Sequence, residues 1–381
     1  MSTTSANGAN GATGTARVAV DALQQLTAAV LTAVGGMGAT DAALLARSLV
    51  EADAAGVHTH GVSRLAPYVV QLESGQVNPR PTERVLSETP GAILLDADSG
   101  FGAPVGIRAI DAAMDKARTT GVALAGVTRV AHFGAAGFYT RHAAEHGFLA
   151  LAMSTTSPSV VPFGGRRPRI GNSPLSFAAP GRDHPELVLD MAQSMSSRGR
   201  IKLYAESGTP LPEGWAIDAA GRPTRDPAAA LGGGVLPSGG HKGSALSLMV
   251  EMLASGLTGA NLTQNVALSG FTSTPATSTV GDLDVTVGNC YLVIDAGAFG
   301  DAAGVHERAS RIAAYVRAAE PAPGVERVHA PGDIEAHHMD EARARGIPLR
   351  RRTLAELRAL ADEHGVAVPS AFEGGGDHGS T

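Results

Sequence analysis

Two histidines stand where helical patterns begin: His60, in Thr59-His60-Gly61-Val62-Ser63-Arg64-Leu65, and His132, in Val130-Ala131-His132-Phe133-Gly134-Ala135-Ala136-Gly137. Imidazole titrates nearest neutrality, with an ordinary pKa of about 6.5, so both are candidates for general acid/base work. If Thr59 caps the helix that follows, His60, Arg64 and Tyr68 recur at i, i+4 and i+8 and share one face. Arg64 would then hold a carboxylate while His60 meets the adjacent oxygen of a 2-hydroxy or 2-oxo acid. An ordinary helix with a solvated arginine has the same spacing, so spacing alone leaves both readings open. His132 lies near the start of a small-residue helix, whose dipole disfavours imidazolium and keeps the ring neutral; a structural histidine fits the position equally well. The third element is Leu236-Pro237-Ser238-Gly239-Gly240-His241-Lys242-Gly243-Ser244, which runs into an apolar helix. Amides at such a terminus, with Lys242 as a point charge, suit a nucleotide phosphate or a carboxylate, although a plain glycine turn is the competing reading.

The elements that must position these groups read as follows. Apolar spacing over residues 18–34 and 39–55, broken by Gly35-Gly36-Met37-Gly38, predicts a helical hairpin leading to His58-Thr59-His60. Residues 62–72 continue as helix to Gly75. Short apolar runs at 92–95, 122–127, 148–153, 175–178, 187–189 and 291–294 alternate with helical patterns at 107–117 and 139–146, which predicts a mixed α/β core. Residues 244–257 form an apolar helix expected to be largely buried, followed by a long loop over 264–288. Helices return beyond Gly304, and Thr353-Leu354-Ala355-Glu356 matches a capping box for a last helix that ends at His364-Gly365. Gly100-Phe101-Gly102-Ala103-Pro104-Val105-Gly106 imitates a dinucleotide fingerprint. Its spacing is GxGxxxG, however, and the next strand ends in Thr128-Arg129 without a carboxylate for a ribose, so it reads as a tight turn packing a helix closely.

Composition narrows the partners. The 381 residues carry a formal charge of −6, with no basic stripe, which points away from nucleic acid and anionic membranes and toward small molecules. No apolar run reaches the roughly 20 residues that span a bilayer. Cys290 is the only cysteine, which excludes an intramolecular disulfide framework and fits a reducing compartment, the cytoplasm by default. His58-x-His60 lacks the further ligands of a metal site, so no metal is expected. Residues 1–16 read as a disordered leader and 371–381 as a disordered tail. We place 17–120 together with 304–370 in a helical, substrate-side domain and 121–303 in a mixed-sheet domain.

Taken together, the segments resemble the type-2 malate/L-lactate dehydrogenase family, which includes ureidoglycolate, sulfolactate and 2,3-diketogulonate oxidoreductases and cyclic-imine carboxylate reductases. The ordered matches are residues 55–65, His132-Phe133-Gly134-Ala135-Ala136-Gly137-Phe138-Tyr139, residues 160–165, Val188-Leu189-Asp190-Met191-Ala192, Pro212-Glu213-Gly214-Trp215-Ala216, Pro223-Thr224-Arg225-Asp226-Pro227, Gly239-Gly240-His241-Lys242-Gly243 and Ala330-Pro331-Gly332-Asp333. The resemblance implies an α/β fold with a non-Rossmann mixed-sheet NAD(P)-binding core, a helical domain built from both chain ends, and a homodimer. It implies His60 and His132 as acid/base candidates and Thr59, Arg64, Tyr68 and Thr156 as substrate-side residues. Val188, Asp190, Met191, Ala192, His241, Lys242, Gly332 and Asp333 are the implied contacts of NAD or NADP. Thr59 stands in place of the usual serine, Gly171-Asn172-Ser173-Pro174 in place of GTNP, and Ala131 in place of a polar residue. The expected reaction is hydride transfer between nicotinamide and C2 of a small 2-hydroxy/2-oxo acid. The alternatives are reduction of a pyrroline- or piperideine-2-carboxylate, which the GGHKGS form favours, and a non-catalytic dinucleotide-binding relative.

Overall fold

The computed structural model describes residues 14–182, 185–267 and 285–372. In chain order the regular elements are β1 (Thr15–Val18), α1 (Val20–Gly35), α2 (Ala39–Ala54), α3 (Leu65–Glu73), β2 (Arg84–Thr89), β3 (Ala92–Asp96), α4 (Gly102–Thr120), β4 (Val122–Val130), α5 (Gly137–Glu145), β5 (Phe148–Ser154), β6 (Leu175–Pro180) and β7 (Pro185–Met191). They continue as α6 (Arg198–Ser207), β8 (Ala216–Ile217), β9 (Pro223–Thr224), α7 (Pro227–Gly232), β10 (Gly234–Val235), α8 (His241–Glu251), β11 (Val287–Asp295), α9 (Ala302–Arg317), α10 (Asp333–Arg345), β12 (Ile347–Arg350) and α11 (Arg351–Glu363). None of the described helices is long and apolar enough to cross a membrane.

Among the described residues, those up to 80 and those from 312 form one compact unit and those from 81 to 311 another. The helical unit is built on the expected α1–α2 hairpin. Leu23, Leu26, Val30 and Leu31 of α1 and Leu45, Ala46 and Leu49 of α2 recur at helical spacing and are buried. Gly36 closes α1 in the left-handed conformation (φ 62°), its N–H reaching the Thr32 carbonyl. Strand β1 pairs antiparallel with β12, which joins the N-terminal and C-terminal segments of this unit. Strand structure therefore begins at Thr15, inside the segment expected as a leader. The Thr353 capping box is not formed: α11 begins at Arg351 after an N-cap Arg350 with no side-chain bond, because strand β12 runs straight into the helix. Gly365 does end it, with φ 66°.

The sheet unit holds a seven-stranded mixed sheet in the order β2-β3-β4-β11-β5-β6-β7. Strands β3 and β4 are parallel, and the other neighbours are antiparallel. The segment 81–120 belongs here, not with the helical segments, because β2 and β3 complete the sheet and α4 packs on it. A small three-stranded sheet, β10-β8-β9, closes with α6 and α7 over Ile201, Leu211, Ala216, Ala230 and Val235. The glycine-rich segment 100–106, which enters the first turns of α4, packs closely as anticipated. A Cβ on Gly102 would lie 2.5 Å from the His132 carbonyl, and one on Gly106 would overlap the Tyr291 hydroxyl and lie 2.5 Å from Tyr139 Cε1.

Helix α8 departs from expectation. It buries a narrow stripe of Ser244, Ser247 and Val250, and Ala254 continues it in the π-helical turn Met252–Gly256, against Met153 and Cys290. Leu246, Leu248, Met249, Met252, Leu253 and Leu257 stay exposed. An apolar composition on every side predicts a core helix, whereas one face alone meets the sheet. The 264–288 loop falls mostly outside the described residues, apart from a 3-10 turn at Thr263–Asn265 and the start of β11, and the segment expected as a tail lies outside them only beyond Phe372, which is buried in the 3-10 turn Ser370–Phe372. Replacing Gly106 by alanine forces Tyr139 and Tyr291 apart and is expected to destabilise the protein by about 1–3 kcal/mol. Thermal melting would show it as a Tm lower by roughly 1–4 °C, and an unchanged Tm would refute the close packing.

Candidate active site

In the helical unit the candidate residues gather at one loop. Between α2 and α3 the chain makes two 3-10 turns, His58–His60 and Val62–Arg64, so His60 does not share a regular α-helix with Arg64 and Tyr68 as spacing predicted. Thr59 is no helix cap either: its Oγ1 lies 3.1 Å from His60 Nδ1. What holds the turns is Asp53, which is buried in the last turn of α2. Its Oδ1 accepts from His58 Nδ1 at 2.8 Å, and its Oδ2 accepts from the Val62 amide at 2.6 Å. Arg64 is buried, and its Nε donates to the Thr59 carbonyl at 2.8 Å, which fixes the guanidinium plane. Tyr68 is buried beneath it on α3.

Burial sets the electrostatics of this group. Desolvation, followed by the positive charge of Arg64, holds the His60 imidazole down at about 4, so it is neutral at pH 7 although part of the residue remains accessible. Burial lowers Arg64 from its ordinary value, and Tyr68 offsets part of that. Burial raises the Tyr68 phenol to about 12 despite Arg64, so it stays protonated and able to donate. A neutral base, a fixed guanidinium and a phenol thus occupy one loop and the helix it enters.

The sheet unit holds its own candidate residues. His132 lies in the loop after β4, which is clamped on several sides. Arg129, at φ 52°, turns the end of β4 and donates to Asp96 at 2.8 Å. Burial raises the Asp96 carboxyl, but the Asp98 amide, Arg129 and Arg84 outweigh it and hold it at about 2. The Gly102 amide donates to the His132 carbonyl, and the Tyr139 hydroxyl donates to the Phe133 carbonyl. Helix α5 starts five residues after His132, and its Gly137 amide donates at 2.8 Å to Asp190 Oδ2. The positive end of that helix is therefore met by Asp190, and the dipole argument made for His132 does not apply to it. Thr156 Oγ1 accepts from the Asn172 amide at 3.0 Å and holds the turn in which Ser173 adopts φ 42°.

Val188, Asp190 and Met191 lie on the edge strand β7, with Ala192 directly after it. His241 and Lys242 open α8, both exposed, with the His241 ring edge-on to Phe163 at 5.8 Å. Gly239 and Gly240 have positive φ, and a Cβ on Gly243 would overlap the Ser238 carbonyl, which explains the glycines of this loop. Gly332, at φ 97°, precedes α10 in the helical unit. Asp333 takes hydrogen bonds from Arg317 and from the Ala330 amide, and these hold its carboxyl below the usual range. Sequence reasoning missed Asp53 and Gln193. Neither has a motif signature, since each acts through a contact that only folding creates.

The sequence model of the malate/L-lactate dehydrogenase family matches residues 18–358. The chain belongs to the malate/L-lactate dehydrogenase family. It is 36% identical over 358 residues to the malate dehydrogenase of Pyrococcus horikoshii, covering 92% of this chain and 96% of the relative. It is 40% identical over 255 residues to the Delta(1)-pyrroline-2-carboxylate/Delta(1)-piperideine-2-carboxylate reductase of Pseudomonas putida, covering 67% and 74%. The solved structure of malate dehydrogenase from Pyrococcus horikoshii superposes with a TM-score of 0.82 at 33% identity, covering 93% of this chain and 97% of that one. The expected mixed-sheet, non-Rossmann fold is the fold of this family, and the chain is an oxidoreductase.

The residues at the start of α8 have the chemistry of an anion site. Lys242 makes no ion pair among the described residues, leaving its charge available to an anion at a helix N-terminus. Gln193 is buried, its carbonyl accepts from the Ser238 amide, and its side-chain Nε2 has no hydrogen-bond partner among the described residues. A buried donor left open in this way is what a bound polar group would complete. In a histidine side-chain NMR titration, His60 is expected to titrate near 4. Arg64→Met should raise that value by removing the neighbouring positive charge, and titration of the parent at the ordinary value of about 6.5 would contradict the buried, neutral imidazole.

Proposed function

We propose that the protein catalyses reversible hydride transfer between the nicotinamide of NAD or NADP and C2 of a small 2-hydroxy/2-oxo carboxylic acid. The observation that carries this is the pairing, within one loop, of a buried guanidinium fixed by Thr59 with an imidazole kept neutral by burial. A guanidinium so held presents a planar fork of the shape a carboxylate takes. When bound, the dinucleotide supplies the hydride acceptor or donor, and Lys242, His241 and the glycine loop, with Asp190 and Asp333, are the residues assigned to hold it.

Proton transfer is the work of the chain itself. With His60 Nδ1 donating to Thr59 Oγ1, Nε2 carries the lone pair that takes the alcohol proton in oxidation. In reduction the same nitrogen, protonated, returns it to the developing alkoxide. A substrate carboxylate on Arg64 offsets the charge that helps depress His60, so binding itself eases protonation of the imidazole. Tyr68, protonated beside Arg64, adds a donor, and Thr156 is assigned to the substrate side through the turn it holds. His132 is the second acid/base candidate. Reduction of a cyclic imine carboxylate is the second reading, favoured by the Gly239-Gly240-His241-Lys242-Gly243-Ser244 loop and by the 40% identity to the reductase.

The exposed apolar residues of α8 and the turn after it support a homodimer as the working form, with a second copy covering them. Apolar patches of this kind mark interaction sites, and the stretch 243–250 carries no charge to keep it in water. The single cysteine, buried and raised to about 12 by that burial, is consistent with the cytoplasm as its compartment.

Following NADH and NADPH absorbance against 2-oxo acids and cyclic imines is expected to show turnover with an oxo acid, while oxidation with imines alone would establish the second reading. His60→Ala should lower kcat by about 10²–10⁴, and Arg64→Ala should act mainly through substrate KM; if His132→Ala shows the turnover loss instead, the acid/base role moves there. Sedimentation velocity should give a mass twice the 38.5 kDa of the chain, and Met252→Glu should shift it toward one chain. A parent that sediments as a single chain removes the dimer reading.

A further inference from the structure

We infer that Asp53 is the positioning residue of the active site, aiming both His60 and Arg64 through a single buried carboxylate. This assignment rests on the reading of His60 and Arg64 as the substrate pair. Asp53 sits in the last turn of α2, where a negative charge opposes the helix dipole, so helix stability does not account for it there. It is 3% exposed, and a buried carboxylate is tolerated only when its oxygens are satisfied. Both are satisfied from the same short segment: Oδ1 takes the His58 Nδ1 proton and Oδ2 the Val62 amide. These two attachments bracket Thr59, His60 and Gly61.

The bracketed residues carry the functional groups. The Thr59 carbonyl receives Arg64 Nε, and the Thr59 hydroxyl meets His60 Nδ1, so displacing Thr59 disturbs both the carboxylate fork and the proton-transfer ring. Gly61 supplies independent support. Its backbone (φ −85°, ψ −160°) is open to any residue, yet a Cβ there would overlap the Asp53 carboxylate. The glycine is thus required by the space the carboxylate fills and not by backbone conformation. Ser63 Oγ, donating to the His58 carbonyl at 3.0 Å, ties the far side of the same turn.

Three variants of the full-length protein test this, read by His60 side-chain NMR titration, assigned with His60→Gln, and by steady-state kinetics. Asp53→Ala is expected to move the His60 midpoint up by about one unit or more toward 6.5. It should also lower kcat/KM for the 2-oxo acid by roughly 100-fold, through kcat and KM together, with dinucleotide KM within about twofold of the parent. Asp53→Asn keeps an acceptor for the Val62 amide and should recover at least about tenfold of that loss. Gly61→Ala leaves the carboxylate chemically intact but displaces it, and should reproduce the Asp53→Ala pattern. A folded Asp53→Ala or Gly61→Ala whose His60 titration and substrate kinetics match the parent overturns the proposal. If Asp53→Ala does not fold, Asp53→Asn and Gly61→Ala carry the same decision. If the parent turns over no oxo acid or imine, the substrate reading fails while the titration still decides whether Asp53 positions His60.

Discussion

Strand β11 lies between β4 and β5, antiparallel to both, and the sheet unit depends on that insertion. Its residues come from more than 130 positions beyond β5, so the central sheet closes only when this late segment arrives. The strand is buried along most of its length, and its neighbours are shaped to receive it. Gly106 of α4 leaves room for Tyr291 and Tyr139, and Gly288 lets the Ala254 carbonyl approach where a Cβ would overlap it. Burial pushes the Tyr291 phenol well above its ordinary range and the Cys290 thiol to about 12, marking the middle of the sheet as dry packing without reactive side chains. The functional groups of this unit sit at its periphery, on the loop after β4, on edge strand β7 and at the start of α8.

The helical unit spends its polar burial differently. Asp53, Arg64 and Tyr68 are all inside, and buried charges of this kind stabilise a fold poorly because desolvation offsets much of what pairing returns. Asp53 and Arg64 are instead tied to the backbone of one loop, Asp53 to Val62 and Arg64 to Thr59, which converts electrostatic strength into fixed direction. Lowering of the His60 pKa follows from the same burial, so geometry and protonation state share one physical origin.

Much of this was legible in the chain. The α1–α2 hairpin and the strand runs were readable because apolar periodicity reports burial directly. His60, Arg64 and Tyr68 were legible because residues close in sequence stay close in space, although two 3-10 turns replaced the regular helix that spacing implied. Other readings failed where the decisive contact was distant. The Thr353 box matched a local pattern, yet β12 set the helix start three residues earlier, with Arg350 as N-cap. Helix α8 looked like core because its composition is apolar on every side, and only the packed sheet shows that one narrow stripe is used. The helix dipole near His132 is met by Asp190, which reaches the Gly137 amide from 53 residues along the chain.

The sequence by itself determined the family, the mixed α/β class and the candidate acid/base and carboxylate-binding residues, because these reside in side-chain chemistry and short-range spacing. Only the tertiary structure decided which of those groups are buried, what charge His60 carries at neutral pH, and which carboxylate holds the loop. Burial and electrostatic environment are properties of the surroundings of a residue. Those surroundings are assembled from segments such as Asp53 with Val62, Gly137 with Asp190, and β4 with β11, whose contacts do not exist until the chain folds.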